Sequence, residues 1–162
     1  MAEPPSMLAT LYQGWQEYSR QLTQAIAPLS AEQLALRAAP HLRPIGELAE
    51  HIIGGRVHWM HGMLGESNDE LAALISGLDA DQSAPSAAEL VRGLNVTRGL
   101  IDDRLAHWNA ADLAQTITVV RRGTERSITR QWVIWHLIEH DLHHGGELSF
   151  SLGIYHLAAL DF

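Results

Sequence analysis

Four histidines fall within nine consecutive positions of the stretch "WHLIEHDLHHGGEL", residues 135–148: His136, His140, His143 and His144. His140 and His144 are four residues apart. On a helix such a pair stacks one turn apart, near enough for both rings to reach one ion at about 2.1 Å. Burying imidazole is costly, because an unpaired ring forfeits on the order of 1–3 kcal/mol unless its nitrogens find partners. A metal ion satisfies them, and so does a carboxylate network. The pair alone decides nothing: ten histidines among 162 residues give about half of one such spacing by chance.

A third ligand has to come from another element. His51 lies between Leu48 and Ile52 at the edge of an apolar helical face. Three histidines leave at least one coordination position open, the arrangement of a catalytic rather than a structural site. From spacing alone, one shared ion and separate hydrogen-bonded roles both stand. The chain has no cysteine, which removes disulfides, thiolate ligands and a cysteine nucleophile.

These side chains need helices to hold them, and apolar periodicity marks four. The first runs from about Ser6 to Ala27, with Leu8, Leu11, Tyr12, Trp15, Tyr18, Leu22 and Ile26 on one stripe before Pro28. Ser30 with Gln33 forms a capping-box pattern for one further turn. The second helix opens at "RPIGELAEHIIGGRVHWMHGML", with Pro44 at the first helical position and Leu48, Ile52, Gly55, Trp59 and Met63 on one face. Gly54-Gly55 inside it reads first as the close approach of a neighbouring helix and second as room for a ligand. Residues 65–85 form a long polar crossover with a short helix at 69–76. The third helix starts at Ser86, capped with Glu89, and buries Leu90, Leu94, Thr97, Ile101, Leu105 and Trp108. A short hairpin follows around Arg122-Gly123. The fourth helix spans about Thr129 to Leu152, with Val133, Leu137, His140, His144, Leu148 and Leu152 in its core stripe and Ile134, Ile138 and Leu142 flanking it. The expected architecture is a single all-α domain over residues 1–162, a four-helix bundle with a long crossover between helices two and three.

Composition narrows the function classes. The net charge of −8 disfavours nucleic acid, and the basic run "RRGTER" at 121–126 reads as a solvated hairpin end. No apolar run is long enough to span a membrane. The opening "MAEPPSMLATLYQGW" lacks the basic start and apolar core of a secretory signal, so a cytoplasmic location is expected.

"IGELAEHIIGGRVHWM" followed later by "HLIEHDLHHGGEL" resembles the DinB-like (YfiT-like) superfamily of small bacterial metalloproteins. That family carries a His near the middle of helix two and H-x-x-x-H on the last helix, within a phrase like NH-x-x-HHRGE. The matching residues are His51, His140 and His144, with His143, Gly146 and Glu147 completing the phrase; Glu139 and Gly145 stand where Asn and Arg are usual. The resemblance implies an up-down-down-up bundle, usually dimeric, with one divalent ion on His51, His140 and His144: zinc first, nickel or iron next. Trp59 or Trp108 would suit an apolar dimer face. It also implies a metal-dependent transferase that activates a low-molecular-weight thiol such as mycothiol or bacillithiol, or a hydrolase that activates water. The alternatives are a noncatalytic stress-response metal protein and a metal-free interaction module whose buried histidines pair with Glu47 or Glu147. His143 is expected to point away from the ion, and His136 and His58 to stand at the site's mouth or to be structural. His41, His61, His107 and His156 are expected at the surface.

Overall fold

Trp15, Tyr18, Leu22 and Ile26 recur at helical steps and form the buried face of α1 (Met7–Ile26). The computed structural model describes residues 7–80, 84–121 and 123–161; Ser6, Arg122 and the side chain of Leu8 lie outside this set. Leu11, expected on the stripe, is exposed instead. Ser30 and Gln33 close the expected capping box on the single turn α2 (Ala31–Leu34). In α3 (Ile45–Val57), Pro44 is the N-cap with extended ψ, so the helix begins one residue later than expected. The chain then widens into a π-helical segment, His58–Met63, which periodicity did not anticipate.

The crossover is more helical than its polarity indicated. α4 (Asp69–Ala80) buries Leu71 and Leu74. α5 (Ala87–His107) starts at the Ser86–Glu89 capping box and buries Leu90, Leu94, Thr97 and Ile101. A short α6 (Ala110–Ala114), capped by Asn109 and Asp112, was not expected. The hairpin is present as β1 (Thr116–Arg121) paired antiparallel with β2 (Thr124–Thr129), with Val119 opposite Arg126, and Gly123 takes φ +76° at the turn. α7 (Arg130–Ile154) opens on the Thr129 cap.

The protein is mostly helical, with one small two-stranded sheet among the described residues. α3 lies along α7 and α5, while α1 packs on α5 and α7, so these four helices share one apolar core. No described helix is long and apolar enough to cross a membrane.

The core line of α7 differs from the expected one. Leu137, Asp141, Gly145, Leu148 and Leu152 are buried, whereas Leu142 is exposed and His140 and His144 are half-buried. Two adjacent stripes share Leu137, Leu148 and Leu152. A count of apolar side chains skips Asp141 and Gly145 and so selects the wrong neighbour. The consequence is functional: both histidines stand at the edge of the core and not inside it.

Candidate metal centre

α3 supplies His51, and α7 supplies His140 and His144 one turn apart. The two helices bring all three expected residues together, each half-buried, with one potential ligand atom per residue within 4.8 Å of the others. Ring centroids are 4.4 Å apart for His51–His144, 4.6 Å for His140–His144 and 4.9 Å for His51–His140. Nε2 of His51 and Nε2 of His140 are 3.3 Å apart. Two nitrogens bound to one tetrahedral ion at about 2.1 Å stand about 3.4 Å from each other, so this pair fits one edge of such a site.

Hydrogen bonding within the chain leaves the triad incompletely satisfied. Among the described residues, His140 Nδ1 is buried without a partner, and its Nε2 meets only another imidazole. Burial, and then the neighbouring His144 and His51, push His140 down to about 4. Burial and His144 also lower His51, with Arg43 adding to the effect. Both rings are therefore neutral near pH 7, the form that offers a lone pair to a cation.

Glu147 accepts a hydrogen bond from His144 Nδ1 at 2.7 Å, which fixes that ring's tautomer and leaves the lone pair of its Nε2 as the one that could meet an ion. The same contact is the first cause that lowers the Glu147 carboxyl. Glu47, the other expected partner, is exposed, and its charge acts on Glu50. A metal-free module needs carboxylates on its buried histidines. Within the triad, among the described residues, only His144 has one; His51 and His140 face each other.

Gly55 makes the room. A Cβ there would lie 2.5 Å from Cε1 of His140, so the bare backbone receives the imidazole. Gly55 thus meets the neighbouring helix α7, as the first reading of Gly54-Gly55 expects, whereas Gly54 has nothing within 4 Å; Gly93 on α5 makes a similar approach to α3, where Ile53 would meet the added carbon at 2.8 Å. Gly145, where the resemblance leads one to expect Arg, admits the Tyr18 ring, whose oxygen would be 2.2 Å from a Cβ.

The other histidines divide as their exposure dictates. His143 is exposed; its ring stands 4.7 Å from that of His144, and its Nε2 lies 3.6 Å from Glu147. His136 stacks on Trp132 at 5.0 Å and stands edge-on to Trp59, with its ring 6.1 Å from His140. His58 is exposed against Trp59. His41, His61, His107 and His156 are at the surface as expected. Trp59 and Trp108 are not an open apolar face: the first packs on Trp132 and His136, and Arg130 lies over the second.

Sequence reasoning missed two residues directly behind the triad. Arg56 and Asp141 are each 0% exposed and ion-paired, with Nη2 2.7 Å from Oδ2. Trp15 donates from Nε1 to the same carboxylate oxygen at 2.7 Å. No local signal in the sequence marks them, because a charge on a helix ordinarily lies on its solvated face.

Solved structures share the fold. The fold is similar to that of a DinB-like protein from Bacillus cereus ATCC 10987, with a TM-score of 0.71 and 20% identity over 93% of this chain and 94% of that one. It is also similar to a DinB-like protein from Bacillus subtilis, with a TM-score of 0.61 and 13% identity over 91% of this chain and 93% of that one. At these identities the likeness is one of fold. No curated protein sequence matches. The model of the DinB family, in contrast, matches residues 2–152, nearly the whole chain, and the protein belongs to that family.

Proposed function

We propose that the protein binds one divalent metal ion through His51, His140 and His144 and uses it to activate a low-molecular-weight thiol or a water molecule. The reading rests on one observation: His51 and His140 turn ring nitrogens toward each other at 3.3 Å, and His144 joins them. When bound, an ion held by neutral imidazoles keeps its full charge and lowers the pKa of a coordinated thiol or water. The chain's own part is to hold three imidazole donors, orient His144 through Glu147 and leave a coordination position open. Zinc suits this donor set best, with nickel or iron as substitutes. A thiol brought by the substrate side also agrees with a chain that has no cysteine.

The same reading includes an up-down-down-up four-helix arrangement, a cytoplasmic location and a homodimer. Exposed Trp135, Leu142 and Phe150 on α7 are a better apolar surface for such pairing than Trp59 or Trp108.

Elemental analysis of untagged protein, purified without a nickel column, tests the metal. About one equivalent, lost in His140→Ala and His144→Ala variants that remain folded, is the expected result. Metal-free protein that also fails to take up added zinc, nickel or iron overturns the reading. Thiols are then assayed against electrophilic substrates, with metal-free protein as control, to separate transfer from hydrolysis.

A further inference from the structure

We propose that the buried Arg56–Asp141 pair is the positioning device of the histidine triad, setting the register of α3 on α7 so that His51 meets His140 before any ion arrives. The inference rests on the metal reading above for its purpose. Its geometry is independent of that reading.

The guanidinium of Arg56 has five N–H donors in a rigid fork, and all five are engaged. Nε donates to both oxygens of Asp141 at 3.2 Å. Nη2 donates to Asp141 Oδ2 at 2.7 Å and to Ser19 Oγ at 3.0 Å. Nη1 donates to the Leu94 carbonyl at 3.1 Å and to Thr97 Oγ1 at 3.3 Å. With Trp15 on Asp141, this single node bonds α1, α3, α5 and α7 to one another.

Stability alone is a poor account of such a node. Replacing a buried ion pair with apolar residues of similar volume is often neutral or stabilising, because desolvation consumes most of the Coulombic gain. Register is a better one. Apolar ridges tolerate a slide of one helical turn, about 5.4 Å, since leucine and isoleucine find new grooves. A fork with five fixed partners does not. The node is also placed where register matters: Arg56 follows Gly55, on which the His140 ring rests, and Asp141 follows His140. On both helices the pin and the metal-facing contact are one residue apart, so a one-turn slip that broke the pin would carry His51 away from His140.

The test uses the full chain with Arg56→Met and Asp141→Leu combined, which removes both charges together and leaves neither one stranded. Three quantities are measured: the thermal midpoint without metal, ring-proton NOEs between His51 and His140 without metal, and zinc affinity by chelator competition. The expected result is a folded protein, its midpoint lowered only as far as the Trp15 Nε1–H left without its acceptor accounts for, no His51–His140 ring contact, and zinc binding weakened about tenfold or more, the scale of lost outer-sphere support. A folded double variant that keeps either the native ring contact or the native affinity overturns the proposal. Should the double variant fail to fold, Arg56→Lys takes its place: it keeps the charge and loses the fork. It is expected to weaken both readouts, and native values of either overturn the proposal. If the wild type takes up no zinc, the metal reading fails on its own, and the metal-free ring contact still decides the pin.

Discussion

Gly54 and Gly55 are neighbours on one helix, yet an added methyl group meets different surroundings at each. At Gly54 a Cβ has nothing within 4 Å, so Gly54→Ala is expected to stabilise the fold by about 0.5–1 kcal/mol through helix propensity. At Gly55 the same carbon would press on the His140 ring at 2.5 Å. That ring is half-buried and can swing outward, so Gly55→Ala should leave the fold intact and reduce zinc affinity by about tenfold or more. Parallel melts and chelator competitions on the two variants check the contrast; equal affinities would remove Gly55 from the site. Glu147 belongs to the same scale. It is exposed but bonds His144 Nδ1 at 2.7 Å. Glu147→Ala is expected to change stability by no more than about 0.5 kcal/mol while weakening zinc about tenfold, and an unaltered affinity would reduce the contact to a surface ion pair.

Elements hold these residues through terms that can be varied apart from the site. The Ser86–Glu89 box caps α5 far from the triad in function, so Ser86→Ala should cost about 1 kcal/mol in a urea titration and leave zinc uptake unchanged. Gly145→Ala acts on helix packing instead. Its Cβ would lie 2.2 Å from the oxygen of the buried Tyr18, and α1 would have to move off α7, at a cost of about 1–3 kcal/mol. A melting point equal to that of the wild type would show that the Tyr18 ring has another place to go. What the sequence made legible follows the same division. Capping boxes at Ser30 and Ser86 are local, chemically specific patterns, and the helices they open stand where those patterns lie. His140 and His144 were legible as a pair because the four-residue spacing and the surrounding phrase are both local, whereas His51, 89 residues from His140, was joined to them by the family resemblance. Arg56 and Asp141 were not, because a charge in a helix ordinarily marks the solvated face, and their meaning is carried by each other across 85 residues of chain. The π-helical turn at His58–Met63 was invisible to a reading that assumes 3.6 residues per turn.

At the scale of the whole molecule the question is whether an ion makes the fold or only occupies it. The shared core reaches from Trp15 in α1 to Leu152 in α7, and the Arg56–Asp141 node sets the register of the four long helices without any metal ion. The triad stands at the edge of that core, half-buried. Metal-free protein should therefore remain folded, unlike small domains whose structure is lost with their zinc. An ion that binds only the native state stabilises it by mass action, about 2.7 kcal/mol when free metal is a hundredfold above Kd. For a chain of this size that corresponds to a rise in Tm of about 5–10 °C. Calorimetric scans across a zinc series should show the midpoint climbing with the logarithm of free zinc, a flat response in His140→Ala, and a cooperative transition still present in excess chelator. Loss of the folded state on chelation at 25 °C would mean that the ion carries the structure, because the apolar core would then be too weak to hold α3 on α7 by itself.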